Sequence, residues 1–132
     1  MRTAAMIVMG LGLGLAACEG PSAQSGQVTY MDLCAGCHGQ DAKGMTAEES
    51  GLRRAPSDLT RIAARNGGIF DRNKVMSNID GYLRRNDRTH PMPEFGAGME
   101  GRLVMVETAP GVFTPTPEVL LLLTDYLESI QQ

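Results

Sequence analysis

The sequence predicts a mainly α domain with loops wrapped around a ligand, on three observations. Residues 117–130 repeat apolar side chains at helical spacing, and no long alternating strand pattern or internal repeat occurs. The chain has 132 residues, no tryptophan, three tyrosines and three phenylalanines. That is one small domain, poorly supplied for a dense side-chain core and only modestly stable by itself. A large apolar group held inside would fill the gap.

The first element is a leader. Arg2 supplies a short positive region and residues 4–15 an apolar run too short to span a bilayer comfortably as a finished helix. The run ends in Leu15-Ala16-Ala17-Cys18, which resembles the bacterial lipobox. There the leader is cut before the cysteine, which is lipidated and becomes the first mature residue. The organisation expected is a lipoprotein signal peptide over 1–17, a lipidated N-terminus and flexible tether over 18–27, and a folded domain over 28–132. Residues 19–27 are small and polar, without apolar periodicity, which suits a tether. An ordinary secretory signal that discards Cys18 is the alternative, although the cleavage pattern around Pro21-Ser22-Ala23 is poor.

Residues 28–35 read as a short helix with Tyr30, Leu33 and Cys34 along one side. A loop follows over 39–56. Ser57-Asp58-Leu59-Thr60 caps a helix over 59–66 that Gly67-Gly68 stops, and 74–83 is a third helical segment. Residues 87–98 are loop, because Pro91 and Pro93 cannot donate backbone hydrogen bonds. Apolar and polar residues alternate over 103–107 and Ala109-Pro110-Gly111 is a turn signal, so 103–114 is predicted to form a small β-hairpin. In the last helix Thr116 is the expected N-cap, Pro117 the opening residue, and Glu118 puts negative charge at the positive end of the dipole. Val119, Leu123, Tyr126, Leu127 and Ile130 define its buried face.

The chemistry is concentrated in Cys34-Ala35-Gly36-Cys37-His38. Two thiols three residues apart followed at once by an imidazole is the arrangement that attaches a c-type haem: each thiol adds to one vinyl group, and the histidine lies under the iron. A thioredoxin-like dithiol and half of a zinc site are the rivals. The dithiol lacks a preceding strand, and four-ligand zinc has only Cys18 and His90 left to draw on.

With that motif in place, the chain resembles a class I cytochrome c from about Gly26 onward. In that family a glycine eight residues and an aromatic four residues before the first haem cysteine let the first helix cross the last closely. Gly26 and Tyr30 stand there, and Leu123 and Tyr126 match the aliphatic and aromatic pair of the last helix. A four-helix-bundle cytochrome fits less well, because its haem motif lies near the C-terminus. The resemblance implies one covalent haem c held through Cys34 and Cys37, with His38 as proximal iron ligand. It also implies a proline carbonyl, here Pro56, accepting the other ring proton of that histidine.

For the sixth ligand, His90-Pro91-Met92-Pro93-Glu94-Phe95-Gly96 resembles the family's distal segment and makes Met92 the choice, with His90, Met99, Met105 and an open position as alternatives. Haem propionates need donors, for which Arg53, Arg54, Arg61 and Arg65 are candidates, each equally at home on a solvated helix face.

The formal charge is −3, and loss of the leader leaves eleven basic against fifteen acidic side chains. Nothing marks a nucleic-acid footprint. Nine of the twelve basic residues lie between Arg53 and Arg88. That asymmetry either steers an acidic redox partner or is an ordinary soluble surface. The reading that collects these features is an electron carrier with redox protein partners, lipid-anchored at the membrane on the bacterial periplasmic side. A haem sensor or peroxidase-like protein with a labile sixth position, or a subunit through which electrons enter a larger oxidoreductase, are the alternatives. No substrate pocket with an acid and a base is recognisable, so enzyme status stays open.

Overall fold

The computed structural model describes residues 23–82 and 92–132. The predicted leader, the lipidation site Cys18 and the alternative ligand His90 lie outside the described residues.

Helix α1 (Ala23–Leu33) runs almost directly into α2 (Ala35–His38), separated only by Cys34. Cys34 N–H donates to the Tyr30 carbonyl and its own carbonyl accepts from His38, so the helical ladder carries across the junction. α1 starts inside the stretch 18–27 that was expected to be a tether, and five residues before the helix expected from Val28. Small polar residues extend the helix here because tertiary packing overrides their weak propensity. A Cβ at Gly26 would lie 2.9 Å from Tyr126 Cβ and press into the Leu122 carbonyl oxygen, so only glycine lets the two backbones approach this closely.

The partner in that crossing is α6 (Glu118–Ser129). Tyr30 and Leu123 are fully buried between the helices, and the Tyr30 and Tyr126 rings stack tilted with centroids 5.4 Å apart. The expected apolar face of α6 is therefore buried at Leu123 and Leu127, with Val119, Tyr126 and Ile130 packed at its margin. Leu120 and Thr124 complete it. Pro117 occupies the N-cap position, while the hydroxyl of Thr116, the expected cap, donates back to the Thr114 carbonyl.

Between these helices the chain forms short elements. The loop 39–56 contains one unexpected turn of helix, α3 (Ala47–Ser50), closed by a capping box between Thr46 and Glu49. Asp58 caps a 3₁₀ turn (Leu59–Arg61), which continues into α4 (Ile62–Arg65) and stops before Gly67. α5 (Arg72–Asp80) begins two residues earlier than expected, because the Asp71 side chain accepts from Lys74 N–H, and Gly81 ends it at a positive φ. Arg72 pairs with Asp125 and Glu128, joining α5 to α6.

The predicted hairpin is present as β1 (Leu103–Ala109) and β2 (Val112–Pro117), paired antiparallel and running three residues longer than expected. Pro115 and Pro117 are tolerated in β2 because a two-stranded sheet leaves each strand an open edge. The architecture is the expected mainly α one: a helix crossing, a shell of short helical pieces, and a hairpin leading into the last helix.

Candidate haem site

Cys34, Cys37 and His38 fall on one stretch of helical ladder at positions i, i+3 and i+4, the spacing that puts side chains on a common face. Cys34 is buried and Cys37 exposed. Burial pushes the Cys34 thiol up to about 11, with Cys37 beside it adding to the effect. A redox dithiol needs a nucleophilic thiolate near neutral pH. The Cys34 thiol, pushed up by its burial, lacks that property.

The His38 ring is held from outside the helix. Its Nδ1 lies 2.9 Å from the Ser57 carbonyl oxygen. A carbonyl only accepts, so Nδ1 carries the proton and Nε2 keeps its lone pair for a metal. The ring partner is thus one residue beyond Pro56, where it was expected. The physical reason is the loop 39–44: Gly44, at φ +89°, packs so closely on the Pro56 carbonyl oxygen that a Cβ would sit 2.6 Å from it. That turn is itself tied down, Gly44 N–H donating to the His38 carbonyl and Leu59 N–H to the Ala42 carbonyl. With the Pro56 carbonyl facing the turn, the next carbonyl reaches the imidazole. The Tyr30 hydroxyl also anchors the motif, donating to the Gly39 carbonyl at 2.6 Å.

A cavity of about 370 Å³ opens beside His38. Leu59, Ile62, Val75 and Leu127 give it apolar walls, and Met92 lines it too. The segment carrying Met92 is fixed to the end of α5, where Phe95 N–H donates to the Ile79 carbonyl at 3.1 Å. The other methionines weighed as ligands lie elsewhere: Met99 is buried in the core, and Met105 is 61% exposed on β1. Of the four candidate arginines, Arg65 lines the cavity, joined by Lys74, Asn66 and Asn78. Ser57 and the α5 residues were missed in the sequence because they become neighbours of the motif only when the loop folds back. Their i, i+1, i+4 spacing at Lys74, Val75 and Asn78 was the available signal.

The residues present fit a haem: two thiols and an imidazole at attachment spacing, an imidazole with a free Nε2, and an apolar cavity shared with a methionine. The cytochrome c family model matches residues 23–109, which is well over half of the chain. The chain belongs to the cytochrome c family. A cytochrome c carries a covalently bound c-type haem and transfers electrons with it, in exchange with redox partner proteins. The match to this cytochrome c ends before α6, although α6 supplies half of the buried helix crossing. No curated protein and no solved structure matches the chain. Among the described residues no helix is long and apolar enough to cross a membrane.

Proposed function

We propose that this cytochrome c is a class I, single-haem electron carrier, attached to its haem through Cys34 and Cys37, with His38 and Met92 as axial ligands. It is tethered through a lipid on Cys18 at the membrane, on the bacterial periplasmic side. One observation carries the ligand assignment: His38, with its tautomer set by Ser57, and Met92 line the same cavity. A c-type haem bound there supplies a one-electron ferric/ferrous couple. The chain's residues do the rest. His38 presents Nε2, and the Ser57 carbonyl keeps the ring from turning and raises its basicity. The thioether of Met92 is a soft ligand that favours the ferrous state, whereas a second imidazole would favour the ferric one. Leu59, Ile62, Val75 and Leu127 give the cavity the apolar surface against which the group would pack.

A redox titration with optical spectra of the haem-loaded protein tests the ligands. Met92→Ala is expected to remove the sulfur-iron band and lower the reduction potential, by part of the roughly 0.8 V range over which axial ligands tune haem. Met99→Ala and Met105→Ala are expected to keep the band. Its loss in either, with Met92→Ala unchanged, overturns the assignment. Rapid carbon monoxide binding by the reduced wild type would instead favour a sensor. Attachment has its own test: Cys34→Ala with Cys37→Ala should release haem into acid acetone, while wild type retains it. For the anchor, stable attachment takes at least two hydrophobic groups, which a diacylglyceryl cysteine supplies. Mass spectrometry of the native N-terminal peptide should show a lipidated Cys18; an unmodified peptide beginning further along rejects the anchor and leaves the carrier reading intact.

A further inference from the structure

The cavity wall formed by residues 59–65 is built from one 3₁₀ turn and one turn of α-helix, too short to stand without outside support. α4 has no capping side chain of its own, since Arg61 makes no cap hydrogen bond. Its support comes from the residues just past the end of α6. Ala63 N–H donates to Gln131 Oε1 at 2.9 Å, which caps α4 across 68 residues of sequence. Gln131 Nε2 donates to the Leu59 carbonyl at 2.9 Å and to the Leu127 carbonyl at 2.6 Å. Gln132 N–H adds a bond to the Thr60 carbonyl at 2.9 Å. Leu59 and Leu127 are both cavity residues, as is Ile62, next to Ala63. A single amide therefore joins two walls of the cavity and caps the helix that carries the third contact.

We propose that Gln131 is a positioning residue of the haem cavity: its amide clips the 59–62 wall to α6, setting how tightly Leu59, Ile62 and Leu127 close on the bound group. The inference rests on this cavity being the haem seat. A wall that parts from α6 admits water, and water stabilises the more highly charged ferric state. Burial is one of the levers that set a haem potential. Gln131 thus acts on the potential through the wall, without touching the iron.

The test uses the haem-loaded full chain and four variants. Gln131→Leu keeps the bulk and removes all three side-chain hydrogen bonds; it is expected to lower the midpoint potential and to speed amide exchange at Ala63. Thr124→Ala, a change in a buried α6 side chain that does not line the cavity, is expected to lower the melting temperature and leave the potential in place. Ile62→Ala alters the wall directly and should also lower the potential. A Gln131→Leu protein that melts earlier but keeps the wild-type potential, while Ile62→Ala shifts it, overturns the positioning role alone. Potentials unmoved in both overturn the cavity reading as well. Should Gln131→Leu fail to load haem, Gln131→Asn, with the same groups one methylene shorter, is expected to shift the potential in the same direction by less; an unshifted potential there rejects the proposal.

Discussion

The α1–α6 crossing and the 57–65 wall of the cavity are held by different forces. At the crossing, fully buried Tyr30 and Leu123 pack between backbones that touch at Gly26. Along the wall, backbone groups are held by polar side chains, Asp58 from within the wall and Gln131 and the His38 ring from elsewhere in the chain. Packing of the first kind is unforgiving of volume, because interiors have the density of organic crystals. Hydrogen bonds of the second kind contribute about 1 kcal/mol each but decide direction and spacing. The difference separates a region that keeps the protein folded from one that lines the cavity proposed to hold its haem.

The sharpest way to break this division is at the crossing. Gly26→Ala should cost about 3 kcal/mol, the upper end of the usual overpacking range, because the clashing atoms include the Leu122 carbonyl of a helix backbone. Leu123→Ala should cost a similar amount, about 3 kcal/mol, by leaving a cavity between the helices. Both are read from denaturant melts. If either were tolerated within a few tenths of a kcal/mol, the crossing would not be the structural centre.

Smaller effects are expected at the wall. Asp58→Ala removes the side chain that accepts from Thr60 N–H at 2.9 Å, and should cost about 1 kcal/mol at neutral pH. The Thr60 hydroxyl, ahead of the Thr60 N–H and the nearby Arg65 and Arg61, holds the Asp58 carboxyl below its ordinary value, with burial opposing. A depressed carboxylate contributes stability that is complete above its unfolded value, about 3.9, and lost as pH falls through the lower folded one. The gap between wild type and Asp58→Ala should therefore narrow in melts taken below about pH 4. An unchanged gap would mean that the carboxylate charge plays no part in the cap.

Tyr30→Phe tests the link between the crossing and the haem motif, since Tyr30 packs in the crossing and its hydroxyl donates to the carbonyl of Gly39, next to His38. Loss of that one hydrogen bond should cost about 1 kcal/mol with the crossing intact. The least effect is expected for Arg72→Gln, about 0.5 kcal/mol, because the pairs it makes with Asp125 and Glu128 are partly exposed and weakened further by salt.

Local chemistry is what the sequence determined by itself. Cys34, Cys37 and His38 stand at haem-attachment spacing in the sequence itself, Tyr30, Leu123 and Tyr126 were legible because a helix face repeats at a fixed period, and Gly26 was picked out only by the resemblance to class I cytochromes c. The hairpin was legible for a similar reason, alternation ending at Pro110-Gly111. Each of these signals lies within one element or one turn. Tertiary structure decided the rest. The choice of Ser57 over Pro56 depends on a turn at 39–44 that folds under the histidine. The start of α1 at Ala23 depends on a partner helix nearly a hundred residues away, and the cap of α4 on an amide 68 residues along. A hydrogen bond between a side chain and a distant backbone group leaves no periodic trace in a sequence, because every residue brings a backbone and only the folded path decides which one arrives.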